Sequence, residues 1–174
     1  LKQATERINH WRVISAFSDN AGGIIFDEDT VIILKGETHN HPTAIAPFGG
    51  VATKHGGVIR DVIGFGKGGY PIGGTTVMGT SSRKKSELPI GCLGPERIVR
   101  ESIEATAYFC NPMGIPILHA IYKQHTDYIK PLALGHSIGI IPKKYALKED
   151  PWPGDIALLI GGKTGRDGIH GASA

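Results

Sequence analysis

The stretch VIILKGETHNHPTA, residues 31–44, opens as a core strand and finishes in chemistry. Val31, Ile32, Ile33 and Leu34 are four apolar residues in a row, three of them β-branched, which favours a buried strand. Lys35, Glu37, Thr38, His39, Asn40 and His41 follow, nearly all able to carry charge or hydrogen-bond. If the strand continues to about His39, alternation turns Glu37, His39 and His41 one way and Thr38 and Asn40 the other. A carboxylate beside two imidazoles suggests a metal site or an acid–base site. Pro42 is expected to end the strand and leave the cluster at the edge of a sheet.

Working outward, Trp11–Phe17 and Ile24–Phe26 read as strands, separated by SDNAGG and followed by the turn Asp27-Glu28-Asp29. With residues 31–39 they predict an antiparallel meander. Downstream, residues 47–65 place Val51, Val58 and Val62 on one helical face, against the opposition of several glycines. Residues 72–80, 115–122 and 132–141 read as strands, and 142–147 as a short helix. Pro95–Cys110 reads as a helix: Pro95 suits its first turn, Val99, Ile103, Ala107 and Cys110 form an apolar face, and Glu96–Arg100, Arg97–Glu101 and Arg100–Glu104 are spaced for ion pairs. These elements fit an α/β (α+β) fold class without establishing it. DPWPGD, residues 150–155, marks a boundary between a first domain, 1–150, and the start of a second, 151–174, whose first strand is expected at Ile156–Ile160.

Composition removes several functions. The chain has 174 residues, 40% of them hydrophobic, enough for one domain with a core. A net charge of +3 with no dense basic block argues against nucleic-acid binding. No apolar stretch is long enough to span a membrane, and no signal peptide is visible. Cys92 and Cys110, outside any CxxC motif, read as reduced thiols of a cytoplasmic protein.

Two motifs are decoys. Gly64–Gly69 matches GxGxxG, but a Tyr-Pro and a β-like run follow it where a dinucleotide site needs a helix. Residues 157–164 resemble a relaxed phosphate loop, but the intervening residues are themselves strand-like. Arg60-Asp61 is more informative. An arginine there can clamp a phosphate or carboxylate, and the aspartate can share Mg²⁺ with Glu37.

The run LKGETHNHPTAIAPFGGVATKHGGVIRDVIGFGKGGYPI closely resembles the phosphoribosylformylglycinamidine synthase family, synthetase component. SAFSDNAGGIIF upstream, and NPMGIPI, PGD and GGKTGRDGIHGAS downstream, follow the family's order, so the resemblance covers nearly the whole chain. It implies the fold of the aminoimidazole ribonucleotide synthetase-like N-terminal domain: a curved mixed sheet with helices on one face, able to pair into a barrel with a second copy or internal repeat. It implies ATP-dependent conversion of formylglycinamide ribonucleotide and ammonia to formylglycinamidine ribonucleotide, ADP and phosphate in purine biosynthesis. It also implies that the ammonia comes from a glutaminase domain or subunit.

The resemblance also implies roles for individual residues. Lys35 contacts ATP, and Glu37 and Asp61 hold Mg²⁺. Thr38, His39, Asn40, His41 and Arg60 bind formylglycinamide ribonucleotide, with His39 as proton acceptor. Ala46 departs from a common Glu and Lys54 from a usual Gly. By the same resemblance the chain is part of a longer synthetase and is inactive alone. The other readings are a metal-dependent amidohydrolase built on His39-Asn40-His41, and a non-catalytic nucleotide-binding or assembly module.

Overall fold

Residues 30–38 form the strand that organises the molecule. The computed structural model describes residues 1–163 and 165, so much of the downstream stretch GGKTGRDGIHGAS and the phosphate-loop decoy's Thr164 lie outside the described residues. The elements are α1 (Lys2–Ile8), β1 (Val13–Ser15), β2 (Gly22–Ile25), β3 (Thr30–Thr38), α2 (Asn40–Ile45), α3 (Pro47–Ile63), β4 (Tyr70–Thr80), α4 (Pro95–Cys110), β5 (Ile117–Gln124) and β6 (Leu132–Pro142), with short 3₁₀ turns at Lys85–Glu87 and Lys143–Tyr145.

One sheet of six strands runs β1-β2-β3-β6-β4-β5. The meander β1-β2-β3 is antiparallel, as its turns predict, although β1 is only three residues long. β6 returns between β3 and β4, antiparallel to both, and β5 joins the far edge parallel to β4 after the α4 crossover. Helices α3 and α4 cover one face.

Helix α3 is the centre of the packing. Val62 joins Val31, Ile33, Phe65 and Ile141 in one core cluster. Val58 and Ile59 join Cys110 and Ile115 in a second, and Val51 joins Ala105 and Ala133 in a third. Each of these valines is fully buried, worth about 1.5–3 kcal/mol apiece. That burial offsets the four glycines of α3, at about 1 kcal/mol each. The helix can lie this close because β6 presents only small residues, Ala133, Gly135, Ser137 and Gly139, between its larger ones. A Cβ on Gly139 would collide with Val62 Cγ1.

Several sequence expectations need correcting. β3 stops at Thr38; His39 caps α2, and Pro42 lies in that helix's first turn, where its missing N–H is no loss. The buried side of α4 is Ile98, Ser102, Ala105 and Cys110, so Val99, Ile103 and Ala107 are turned away from the core. Of its three anticipated ion pairs, only Arg97–Glu101 closes, at 2.6 Å. Gly64–Gly69 lies between a helix and a strand, the reverse of a dinucleotide-binding turn; Gly66 and Gly68 supply its positive φ angles, 55° and 129°. Ile156–Ile160 is exposed and not in a strand.

Among the described residues, little covers the other face of the sheet. Ile24, Leu34, Tyr70, Ile72 and Leu118 are each more than 40% exposed. Ile24, Ile32, Leu34 and Ile138 line one shallow apolar depression there.

Candidate active site at the end of the third strand

The face of β3 that supplies Val31 and Ile33 to the core carries Lys35 and Glu37 one and two turns of the pleat further on. The strand thus leaves the core and reaches the flank of α3 on the same side. Lys35 Nζ lies 2.8 Å from Asp61 Oδ2. Arg60 donates to Asp61 Oδ1 through Nε at 3.1 Å and through Nη2 at 2.5 Å. Asp61 is 4% exposed, whereas the Arg60 side chain is 78% exposed. Burial alone would raise the Asp61 carboxyl, but hydrogen bonds and charge from Lys35 and Arg60 outweigh it and hold it below the usual carboxylate range. The arginine is held charged by the same contact and, more weakly, by Glu37.

Glu37 rests against α3 at Gly57, where a Cβ would stand 3.0 Å from its Oε2. Across the sheet, Glu37 is level with Gly135 of β6, which is level with Thr76 of β4. Ser137, opposite Lys35, is fully buried, and its hydroxyl has no partner among the described residues. The sequence offered no sign of it, since a serine in an alternating strand is ordinarily outward-facing.

His39 turns the corner from β3 into α2. Its Nδ1 lies 2.7 Å from the Gly50 carbonyl oxygen. A carbonyl only accepts, so Nδ1 carries a proton, and in the neutral tautomer this contact selects, Nε2 is the acceptor. Asn40 is held by structure: its Oδ1 accepts from the Ala133 N–H at 2.8 Å, tying α2 to β6. Its amide N–H₂ remains for another partner. Thr38 is exposed, and His41 partly so, at the same corner.

The structure therefore brings Lys35, Arg60 and Asp61 into direct contact. It sets Glu37 beside them on the same face, with Thr38, His39, Asn40 and His41 at the adjoining turn. No cluster of three or more His, Cys, Asp or Glu residues suited to a metal occurs among the described residues. Glu37 and Asp61 are carboxylates, the ligand type that Mg²⁺ takes together with phosphate oxygens, and both Asp61 oxygens are held here by Lys35 and Arg60. The pair does not fit a transition-metal hydrolase site, which needs more protein ligands. The open sheet is also not the closed barrel that the amidohydrolase reading requires.

No family model matches the chain. Individual proteins do. The chain is 36% identical over 162 residues to phosphoribosylformylglycinamidine synthase subunit PurL of Thermoplasma volcanium, covering 92% of this chain and 21% of that one. It is 34% identical to the same subunit of Picrophilus torridus, covering 99% of this chain and 23% of that one. In structure it superimposes on T. maritima PurL complexed with FGAR with a TM-score of 0.71 at 30% identity, over 97% of this chain and 25% of that one. T. maritima PurL complexed with ATP gives a TM-score of 0.70 at 29% identity, over 97% of this chain and 27% of that one. AaThiL complexed with AMPPCP and TMP, at 12% identity, shares the fold, with a TM-score of 0.55 over 80% of this chain and 40% of that one. The chain spans about a fifth of the length of the curated relatives it matches. By sequence and by fold, the chain is similar to one segment of the longer phosphoribosylformylglycinamidine synthase subunit PurL chains.

Proposed function

We propose that this chain is the nucleotide- and substrate-binding segment of an ATP-dependent synthetase. The longer protein would convert formylglycinamide ribonucleotide and ammonia to formylglycinamidine ribonucleotide, ADP and phosphate, a carbon–nitrogen ligase step of purine biosynthesis. The observation that carries this reading is the Lys35–Asp61–Arg60 cluster set beside Glu37, one turn from a histidine whose Nε2 is the acceptor in its neutral tautomer. Phosphoryl transfer builds negative charge on the moving group, and fixed cations around it lower the barrier. Lys35 would meet ATP phosphates, and Arg60, whose side chain is exposed, would clamp the substrate. Glu37 and Asp61 would hold Mg²⁺, which supplies charge neutralisation when bound. His39 would take the proton released as ammonia attacks, its ring oriented by the Gly50 carbonyl. Thr38, the Asn40 amide and His41 line the adjoining turn where the substrate would lie.

The exposed apolar face of the sheet supports pairing with a second copy or an internal repeat, and the ammonia would come from a glutaminase domain or subunit. We place the boundary between the synthetase domains near residue 150 and the working protein in the cytoplasm. The test is titration calorimetry with a non-hydrolysable ATP analogue, with and without Mg²⁺, on this chain and on Glu37→Ala. Mg²⁺-dependent binding that the variant loses is the expected result. Binding that is absent in all conditions, or that Glu37→Ala leaves unchanged, refutes this placement of the nucleotide.

A further inference from the structure

The more apolar side of α4 does not face the core. Val99, Ile103 and Ala107 instead form one wall of an open groove of about 470 Å³, with Met78 of β4 and Ile117 and Ile121 of β5 opposite. A volume of this size suits a small ligand. The groove shares no residue with the site above, although its Thr76 stands in the same cross-strand row as Glu37, with Gly135 between them.

Its floor is polar in a particular way. Four hydroxyls line it: Thr76, Ser102, Thr106 and Tyr122, the last paired with the Thr80 hydroxyl at 2.8 Å. Ser102 is fully buried, and its Oγ has no hydrogen-bond partner among the described residues. Thr106 is satisfied; it donates to the Ser102 carbonyl at 2.8 Å, so the His55 Nε2 3.1 Å away must be the donor to it. Thr76 accepts from Lys54 Nζ at 2.7 Å. Since an ammonium only donates, the Thr76 proton is left to point elsewhere. The floor therefore offers two unused O–H donors, on Thr76 and Ser102.

Behind them sits a buried charge. Lys54 has no exposed surface, and no carboxylate of the described residues is within ion-pair distance of it. Its stem lies over Gly135, with Cδ 3.1 Å from where a Cβ would be. Burial pushes its ammonium down to about 8. Isolated buried cations are unfavourable without a counter-ion, and hydroxyl donors aimed away from a cation are the complement of an anion's oxygens.

We propose that this groove binds a small monocarboxylate with an apolar body, its carboxylate accepting from Thr76 and Ser102 with Lys54 as the counter-charge behind. The aliphatic or aromatic part lies between α4 and β5, against Val99, Ile103 and Ile121. This proposal does not rest on the nucleotide reading, and its failure would leave that reading untouched.

The experiment is an amide-resolved NMR titration of the full 174-residue chain with hexanoate, 1-hexanol and hexylamine. Hexanoate should give saturable shifts at Thr76, Ser102 and Ile121, with 1-hexanol at least about tenfold weaker, the usual worth of a hydrogen bond to a charged group. Ala107→Trp, at the exposed rim, should block both. Lys54→Met should remove the preference of acid over alcohol; should that variant fail to fold, Ser102→Ala, which deletes one donor, should narrow it. Absence of saturation, equal affinity for acid and alcohol, or tighter binding of the amine would each overturn the proposal.

Discussion

Replacing Lys54 with Met removes a charge the fold holds at a loss. A free lysine titrates near 10.5, and this one is pushed down to about 8 by burial. The difference, about 2.5 pH units at 1.36 kcal/mol each, is about 3 kcal/mol of penalty on the charged form. Below pH 8 both folded and unfolded chains are protonated, and the penalty is present in full. Between about 8 and 10.5 the unfolded chain keeps a proton that the folded chain has released, so stability rises with pH. Met preserves most of the stem that packs over Gly135 and forfeits one hydrogen bond to Thr76, about 1–2 kcal/mol. Lys54→Met should therefore be about 1–2 kcal/mol more stable at pH 7. That advantage should shrink and reverse by pH 10.5. Urea unfolding of both proteins at pH 7, 8, 9 and 10 measures this, and taking the difference cancels the other titrating groups. A variant that is less stable at pH 7 with an unchanged difference at every pH would refute the reasoning, because it would mean that the ammonium is favourably partnered.

His55, buried beside Lys54, acts on the acid side. Its imidazole is pushed to about 3, first by burial and then by the lysine's charge. The unfolded chain gains a proton near 6.5 that the folded chain refuses, so stability should fall by about 1.4 kcal/mol per unit as pH drops from 6.5 toward 3, and His55→Gln should flatten that slope in urea midpoints. Gly57→Ala puts a methyl 3.0 Å from Glu37 Oε2. It should leave stability unchanged or raised by up to about 1 kcal/mol while weakening Mg²⁺-dependent nucleotide binding in calorimetry. Asp61→Asn leaves Lys35 and Arg60 without their shared partner and should cost about 1–2 kcal/mol in thermal or urea unfolding, reduced from the fully buried case because Arg60 is exposed.

What the sequence disclosed depended on how local the deciding physics was. The meander, α3 and the extent of α4 follow from turn residues and periodicity that a short window contains. Lys35 and Glu37 share the core face of β3, as alternation requires. His39 and His41 do not continue that face, because Asn40 is drawn to the Ala133 amide and a proline is as acceptable in a first helical turn as after a strand. The α4 face was misjudged for a related reason. Val99, Ile103 and Ala107 look like the core by hydrophobicity, but α3 approaches so closely that it selects Ser102 and Ala105 for their small size. Lys54 and Ser137 could not be assigned a place from the sequence, since each is buried by a partner strand or helix more than 20 residues away.

The position of β5 at the sheet's edge has a dynamic consequence. Because it is parallel to β4, it can pair only after the chain has crossed over through α4, so it closes a long loop and, among the described residues, has a neighbouring strand on one side alone. Most of its residues are exposed. An element of that kind is the first to open in native-state fluctuations and the last to form. It also forms one wall of the groove, so an occupant wedged between β5 and α4 would hold the edge shut. Slowed amide hydrogen exchange from Ile117 to Gln124, with α3 unaffected, would be the kinetic trace of a filled groove.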